Sequence, residues 1–178
     1  MKIGIISDSH HDLNAIDNAI CLAPNVDCWF HAGDSIDDAS YLADVSKKQV
    51  FAVPGNIDWF SNKPQELLVD IADIKIFLTH GHKYNVKWTT KYLYEQANKF
   101  NADLVIYGHS HIGKHEEING KIIINPGSIS EPRDDLLPSF MIVTINNKNI
   151  DISMPMVLPN GEMMTINLHN FENKNLDV

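Results

Sequence analysis

The chain has 178 residues, of which 44% are hydrophobic and 21% are charged, a composition typical of one globular domain and unlike that of a disordered or fibrous protein. Its 14 basic and 23 acidic residues give a formal net charge of -9, and Arg133 is the sole arginine. This balance argues against sequence-independent binding to nucleic acid or to an anionic membrane, because most of the surface would repel a polyanion.

The N-terminal segment and the cysteines indicate the compartment. The apolar stretch at 3–6 ends at Ser7 and Asp8 and is too short for a signal-peptide core or a membrane span. Cys21 and Cys28 form neither a C-x-x-C motif nor the even-numbered framework of a small secreted domain. We therefore expect a cytoplasmic protein whose thiols are reduced.

The first half of the chain alternates between strand and helix patterns. An apolar run at 2–6 predicts a buried strand, and apolar residues at helical spacing then predict a helix that Pro24 ends. Strands predicted at 27–31 and 49–53 enclose a second helix at 36–45. This order indicates a parallel sheet with helices packed on it.

The middle of the chain changes character. Strand patterns at 66–71 and 75–79 predict an antiparallel pair around a turn at Ala72-Asp73. Apolar residues from Trp88 to Phe100 predict a third helix, with both of these aromatic side chains in the core. A buried strand is expected at 103–107.

Two hairpins and a tail complete the prediction. The turns are placed at Asn119-Gly120, the strongest short hairpin signal, and at Asn146-Asn147. The result is a mixed sheet or a pair of sheets flanked by helices, within a single domain over 1–178. The Asn-rich tail at 154–178 is expected to carry at most one edge strand near 163–168.

Side chains able to bind metal follow five of the predicted strands. Ligands bind outside the carboxyl ends of the strands in open α/β sheets, so these five strand ends can converge on one place. Glycines beside them let the backbone turn sharply and approach a bound ion. The candidate ligands are Asp8, His10, Asp34, Asn56, His80, His109 and His111.

The composition of this set points to a class of metal. Seven nitrogen and oxygen donors without a thiolate are too many for one four- to six-coordinate ion and suit two ions. A mixture of imidazole and carboxylate favours Mn, Fe, Ni, Co or Zn over Mg or Ca. Two ions at roughly 3.5 to 4 Å need a shared anionic ligand, and the carboxylate of Asp34 can bridge them.

The candidate ligands stand in an ordered series of short motifs: Asp8-Ser-His10, Gly33-Asp34, Gly55-Asn56-Ile-Asp58, Thr79-His80-Gly81-His82 and Gly108-His109-Ser-His111. With this series the chain resembles the calcineurin-like metallophosphoesterase superfamily, and most closely its small single-domain prokaryotic branch, the YfcE-like phosphodiesterases. Asn125-Pro-Gly-Ser128 and Arg133 also resemble that branch, so the resemblance covers about three quarters of the chain.

The resemblance implies an α/β (α+β) fold with four layers, α/β/β/α, in which a sandwich of two mixed sheets is flanked by helices. It also implies a binuclear centre whose ligands are Asp8, His10, Asp34 and His111 for one ion and Asp34, Asn56, His80 and His109 for the other. A hydroxide bridging the ions would attack phosphorus in line, so that Asp34 and Asn56 serve catalysis. We expect two divalent ions, Mn foremost, with Ni, Fe, Co or Zn as alternatives.

One position departs from the pattern of the larger relatives. Many of them carry a histidine after the asparagine, where it assists phosphate binding or leaving-group protonation, and here that position is Ile57. Either His82 or water would take over this role, or the protein would rely on substrates with good leaving groups. The small branch also commonly lacks this histidine and keeps an acid at the position of Asp58, so the departure does not indicate an inactive protein.

Other polar residues have both a functional and a structural interpretation. His31 is expected either to hydrogen-bond behind the ligands or to pack in the core. Asp58 is expected to cap the turn that follows it or to orient Asn56. Arg133 is assigned either to substrate contact or to a surface ion pair, and Asp37-Asp38 to a solvated surface.

The expected function is hydrolysis of a small phosphodiester, with phosphomonoester hydrolysis as the nearer alternative. A non-catalytic interaction scaffold is the competing class, because the retromer subunit with a similar fold has lost part of its ligand set, whereas the set here is complete. A long nucleic acid substrate is disfavoured by the net charge of -9. The branch that the chain resembles often forms homodimers or homotetramers, which leaves the oligomeric state open.

Overall fold

The structure is a computed structural model of the chain, and it describes residues 1–133, 135, 137–158 and 162–168. The first part alternates strands and helices as the sequence predicts. Its elements are β1 (Lys2–Ile6), α1 (Leu13–Leu22), β2 (Cys28–His31), α2 (Ile36–Ser46) and β3 (Gln49–Ala52). The three strands are parallel, with β2 between β1 and β3.

The remaining elements follow in chain order. The middle of the chain forms β4 (Glu66–Ile71), β5 (Ile74–Thr79), a 3-10 turn at His82–Tyr84, α3 (Lys91–Phe100) and β6 (Leu104–Ile106). The last part forms β7 (Gly113–Ile118), β8 (Lys121–Pro126), β9 (Met141–Asn146), β10 (Asn149–Val157) and β11 (Met163–Asn167). No helix among the described residues is long and apolar enough to cross a membrane.

The strands form two mixed sheets. The first has six strands in the order β11-β10-β9-β1-β2-β3, and the second has five in the order β4-β5-β6-β8-β7. Antiparallel pairing of β1 with β9 extends the parallel part of the first sheet. The predicted α/β fold of two mixed sheets with flanking helices is therefore confirmed.

Apolar residues fill three layers between these elements. One cluster lies between the two sheets and contains Phe30 from β2 and Leu78 from β5. A second joins α1 and α2 to the outer face of the first sheet through Trp29, and a third joins α3 to the outer face of the second sheet through Phe77. Successive residues of a strand point to opposite faces, so neighbours such as Phe77 and Leu78 serve different layers.

Two local predictions need correction. The core position predicted for Trp88 is wrong, because α3 begins only at Lys91 and the Trp88 side chain is 85% exposed. A turn in which the N–H of Trp88 donates to the carbonyl of Asn85 replaces the extra helical turn. Phe100, by contrast, is half-buried against the α3 cluster.

The second hairpin turn lies one residue later than predicted. Asn146 pairs with Asn149, so the turn residues are Asn147 and Lys148, and both have left-handed φ angles (48° and 68°). Two consecutive positive φ angles match the twist of a two-residue hairpin. The predicted edge strand is confirmed as β11, and the tail also supplies the last four residues of β10, 154–157, whereas 159–161 and 169–178 lie outside the described residues.

Candidate metal centre

All seven predicted ligands lie in loops that meet where the two sheets face each other. The loops after β1, β2 and β3 come from the first sheet, and the loops after β5 and β6 come from the second. The contact between the sheets is direct, because His80 Nε2 lies 3.2 Å from Asn56 Oδ1 and 3.3 Å from Asp34 Oδ1. The site therefore straddles the seam between two separately hydrogen-bonded layers.

One cluster of donors surrounds Asp8. The ligand atoms of Asp8, His10, Asp34 and His111 all lie within 4.8 Å of one another. His111 Nε2 is 3.2 Å from Asp8 Oδ1 and 3.2 Å from His10 Nε2. This spacing gives one candidate position for a cation.

A second cluster shares Asp34 with the first. Ligand atoms of Asp34, His80 and His109 also lie within 4.8 Å of one another, and Asn56 Oδ1 adjoins them through His80. The structure thus groups the seven side chains as the resemblance implies, with one carboxylate common to both groups. Their role as metal ligands stays a prediction.

The histidine rings are held in the orientation that metal binding requires. His80 Nδ1 lies 2.7 Å from the carbonyl of Ala32, and His111 Nδ1 lies 2.7 Å from the carbonyl of Glu131. Because a carbonyl only accepts, each Nδ1 carries the hydrogen, and in the neutral ring Nε2 presents its lone pair to the site. Converging nitrogen and oxygen lone pairs repel each other unless a cation lies among them, so the donor set fits divalent transition-metal ions.

The charge states of the two carboxylates, Asp8 and Asp34, also fit the binding of a cation. Burial would raise the pKa of Asp34, but the hydrogen bond and charge of His80 lower it to about 2. Burial likewise opposes ionisation of Asp8, whose pKa is nevertheless lowered, chiefly by its hydrogen bond with His111. Both carboxylates are therefore anionic near neutral pH.

The imidazoles respond to the same field. Burial lowers the pKa of His109 to about 4, helped by the charges of His80 and Lys87. Burial would also lower the pKa values of His80 and His111, but hydrogen bonds to Asp34 and Asp8 raise them. A cation that binds these two rings would compete with protons for them.

The backbone is strained at most of the candidate ligands. Five of the seven adopt left-handed φ angles, namely Asp8 (53°), His10 (46°), Asp34 (57°), His109 (67°) and His111 (60°). Such angles are uncommon outside glycine and gather at functional sites, where the surroundings must hold them. The local geometry thus serves the side-chain positions at some cost to the backbone.

Hydroxyl groups from both sheets, Ser7 after β1 and Ser128 and Ser130 after β8, hold the loop of Asp8. The Ser7 hydroxyl donates to Asp8 Oδ2 at 2.6 Å, while those of Ser128 and Ser130 donate to the Asp8 carbonyl at 2.8 and 2.9 Å. Nearby, Asn125 Nδ2 donates to the carbonyl of Gly108 at 2.9 Å. These contacts explain the Asn125-Pro-Gly-Ser128 motif as a support for the ligand loops.

Two glycines leave space that the ligands occupy. A Cβ atom on Gly55 would lie 1.9 Å from Asp34 Oδ1 and 2.5 Å from the Asp34 backbone nitrogen. One on Gly108 would lie 1.9 Å from Ser7 Oγ and 2.8 Å from Asp8 Oδ2. Only a residue without a side chain allows the carboxylates to take these positions.

His31 and Asp38 form a buried network behind the ligands. The N–H of Gly33 donates to His31 Nδ1, so the neutral ring carries its hydrogen on Nε2, 3.0 Å from Ser9 Oγ. Ser9 donates to Asp38 Oδ2, which also accepts the N–H of His11 at 2.9 Å. His31 therefore has the supporting role that was one of its two predicted interpretations.

The predicted solvation of Asp38 is wrong. Asp37 is exposed, but Asp38 is only 2% exposed and faces the loop of His10. Helical spacing could have indicated this, because Asp38 stands one turn before the buried Leu42 on the same face of α2. The sequence analysis also missed Ser7, Ser9 and Ser130.

The remaining predicted site residues occupy the margin of the centre. Asp58 accepts the N–H of Ile36 at 2.8 Å and that of Gly55 at 2.7 Å, so it caps α2 from a distance and fixes the loop that carries Asn56. The Arg133 side chain is exposed, and the backbone N–H of Arg133 donates to the carbonyl of His111 at 3.2 Å.

His82 lies beside the second cluster. Its ring centroid is 5.4 Å from that of His80 and 6.2 Å from that of His109. His82 Nδ1 is buried and has no hydrogen-bond partner among the described residues. Burial, followed by the charge of His80, lowers the pKa of His82, so the ring is neutral at neutral pH.

Residues 1–148 match the calcineurin-like phosphoesterase superfamily domain, and the chain belongs to this family. Among curated proteins, it is 37% identical over 150 residues to YsnB of Bacillus subtilis, named a probable metallophosphoesterase, covering 83% of this chain and 86% of the relative.

Further similarities come from an archaeal relative and from solved structures. A phosphodiesterase of Methanocaldococcus jannaschii is 34% identical over 146 residues, covering 71% of this chain and 83% of its own. A predicted phosphoesterase from Streptococcus pneumoniae superposes with a TM-score of 0.77 at 27% identity, covering 93% of this chain and 97% of that one. Vps29 of Entamoeba histolytica in complex with Zn shares the fold, with a TM-score of 0.76 at 22% identity over 94% of this chain and 99% of that one.

Proposed function

We propose that the chain is a phosphodiesterase that hydrolyses small phosphodiesters at a binuclear metal centre. The observation that carries this proposal is the pair of donor clusters that share Asp34. The name of the archaeal relative, a phosphodiesterase 34% identical to this chain, supports the same reaction class. The first cluster (Asp8, His10, Asp34, His111) would hold one ion and the second (Asp34, Asn56, His80, His109) the other.

Two divalent ions, when bound, supply positive charge for the phosphate oxygens and lower the pKa of water so that it can attack phosphorus in line. The carboxylates of Asp8 and Asp34 neutralise part of this charge and leave about +2 at the site, which favours an anionic substrate in an otherwise acidic protein. The chain itself keeps the donors fixed. His80 and His111 are locked by their backbone carbonyl partners, and Asp34 accepts the N–H of Ile57 at 3.4 Å.

We assign the role at the leaving group to His82. Its ring stands beside the second cluster, 5.4 Å from the ring of His80, and its buried Nδ1 has no hydrogen-bond partner among the described residues. Ile57 contributes only its backbone N–H, so it cannot transfer a proton. A neutral imidazole can donate a hydrogen bond to the departing oxygen, and it matters most for esters with poor leaving groups.

A scaffold function is the alternative from another class. The similarity to Vps29 establishes the fold alone, so it does not assign that protein's role to this chain. Six donors in two clusters with ligand atoms within 4.8 Å of one another, joined by Asn56 and carried largely on strained backbone, favour catalysis because a scaffold does not require them. Phosphomonoester hydrolysis remains the nearer alternative.

The test compares bis(p-nitrophenyl) phosphate with p-nitrophenyl phosphate, using metal-stripped protein with and without added Mn²⁺. Both esters release a good leaving group, so weak proton donation would not hide activity. We expect turnover that depends on Mn²⁺ and favours the diester. Preference for the monoester would support a phosphomonoesterase, and no turnover with Mn²⁺, Ni²⁺, Fe²⁺, Co²⁺ or Zn²⁺ would support the scaffold.

A further inference from the structure

Three aromatic side chains stand out on the described surface. Trp59 is 83% exposed, Phe60 is 99% exposed and Trp88 is 85% exposed, whereas the other exposed large apolar side chains are 39–48% exposed. Side chains of this size normally bury 150–250 Å² of surface each, so three of them almost fully in water is unusual. We refer to these three residues as the aromatic rim.

The aromatic rim belongs to the two loops that meet at the candidate metal centre. Trp59 stands three residues after Asn56, and Trp88 stands eight residues after His80. The side chains of Asn56 and His80 are themselves 3.2 Å apart, so the two loops start from one point. Three peptide units span at most about 11 Å, which keeps the Trp59 backbone close to the donors.

Both loops are held by turns. In the first loop, the N–H of Ile57 reaches Asp34 Oδ1 at 3.4 Å and the N–H of Trp59 donates to the carbonyl of Ile57 at 3.0 Å. In the second loop, the N–H of Trp88 donates to the carbonyl of Asn85 at 3.0 Å, and the buried Val86 packs beside Gly81. The rings are therefore presented from anchored backbone, which limits the entropy lost when a ligand covers them.

The rim also has a charge that fits an anionic ester. Lys87, next to Trp88 in the sequence, gives this loop an exposed cationic side chain. A phosphodiester bound at the centre must extend at least one organic group over the surrounding loops. Exposed indole and phenyl rings beside a cation suit a planar apolar group attached to an anionic phosphate.

We propose that Trp59, Phe60 and Trp88 bind the organic group of the substrate, so that the preferred substrates are phosphodiesters carrying a planar aromatic group. This inference rests on the proposed phosphodiesterase function and names its substrate class. Stacking on an aromatic side chain contributes enough to change binding by roughly tenfold for each ring.

The test uses two diesters with the same leaving group, ethyl 4-nitrophenyl phosphate and 2-(1-naphthyl)ethyl 4-nitrophenyl phosphate. In each ester, water attacks phosphorus, the bond between phosphorus and the 4-nitrophenyl oxygen breaks, and the products are 4-nitrophenolate and the alkyl phosphate monoester. The ratio of the two kcat/KM values reports binding of the retained group, because the chemical step is the same. We expect the naphthyl ester to be preferred by about tenfold or more, mainly through KM.

Variants locate this preference. Trp88→Ala and Trp59→Ala should each reduce the ratio by roughly tenfold, and Trp88→Phe should retain part of it. Val45→Ala is the matched control, since Val45 is 44% exposed at the other end of α2, an 11-residue helix about 16 Å long that begins beside the centre. Calorimetric titration of the metal-loaded protein with the naphthylethyl and ethyl phosphonates should show the same ratio in Kd without turnover.

The outcomes separate this inference from the proposed function. Turnover of both esters at equal kcat/KM, unchanged in the rim variants, would overturn the aromatic-group assignment and leave the phosphodiesterase intact. No turnover of either ester with any tested metal would overturn both. A stable homodimer that Trp88→Ala converts to monomer, with the ester ratio unchanged, would show that the rim is a subunit interface instead.

Discussion

The hydroxyl of Ser9 donates a 2.6 Å hydrogen bond to the buried carboxylate of Asp38. The same carboxylate accepts the N–H of His11 at 2.9 Å, so it holds both residues that flank His10. His10 and His11 have left-handed φ angles of 46° and 66°, which need such an anchor. Asp38 therefore acts as a positioning residue for a candidate ligand that it does not touch.

Removing this anchor should weaken metal binding at the first cluster. We expect Asp38→Ala to reduce the affinity of one of two bound ions by roughly 10- to 100-fold, the usual effect of losing a partner behind a ligand. Asp38→Asn, which keeps an acceptor oxygen, should retain part of it. Calorimetric titration with Mn²⁺ measures the affinities of both ions. Asp37→Ala is the control, because Asp37 is the exposed neighbour of Asp38. Equal affinities in Asp38→Ala and the wild type would contradict the positioning role.

The shared carboxylate should be indispensable. Asp34→Asn keeps the size of the side chain but removes the charge that both donor clusters have in common. Because losing even an indirect partner of a metal typically costs 10- to 100-fold, we expect kcat/KM to fall by roughly a hundredfold or more. Metal analysis should show fewer than two ions per chain. Full activity with two bound ions in this variant would refute the two-metal proposal.

Space at Gly55 should matter more than its backbone freedom. In Gly55→Ala the new Cβ would collide with Asp34, including its backbone nitrogen, so the carboxylate must move. We expect stability to fall by about 1–3 kcal/mol and metal affinity to fall with it. Gly120→Ala provides the contrast, because that position has φ +74° and nothing within 4 Å. Urea unfolding should show a loss in both variants, whereas only Gly55→Ala should lose metal affinity.

His31 should make stability depend on pH. Burial lowers its pKa from 6.5 to about 4, so the folded chain keeps the ring neutral while the unfolded chain takes up a proton below pH 6.5. Stability is then lost as pH falls from 6.5 towards 4, and the loss between pH 7 and 5 is about 2 kcal/mol.

The comparison with His31→Gln isolates this contribution. That variant has no titrating group at the position, so its free energy of unfolding should decrease less between pH 7 and 5 than that of the wild type. Urea titrations of the metal-free proteins at both pH values give the difference. An identical pH dependence in the two proteins would mean that His31 is not buried as a neutral ring.

The sequence predicted the features that rest on short, local signals. The β-α-β-α-β order places Asp8, Asp34 and Asn56 at one edge, because the carboxyl ends of parallel strands share an edge. Asn119-Gly120 fixed a hairpin in the same way. The residues alone did not decide whether the strands form one sheet or two, since the pairing of β1 with the distant β9 has no local signal.

The two wrong predictions, for Trp88 and Asp38, have causes that a local sequence pattern does not show. Trp88 stands four residues before Tyr92 and thus matches a helical pattern. In the structure, however, Trp88 closes a separate turn that starts at Asn85, and α3 begins only at Lys91. Asp38 carries a charge that predicts exposure, and only the three-dimensional return of the His11 loop supplies its partners. Tertiary contacts thus override a local preference at Asp38, whereas at Trp88 one local turn replaces another.

The position of the centre on the seam couples chemistry to the cohesion of the domain. Donors of the first sheet and of the second sheet stand 3.2 Å apart at Asn56 and His80, so a ligand bound there would add a further link between two layers that apolar packing and loop hydrogen bonds already join. By mass action, a ligand present at a hundred times its Kd raises the free energy of unfolding by about 2.7 kcal/mol. If the centre binds metal as proposed, metal supply would therefore set the stability of the sandwich as well as its reactivity.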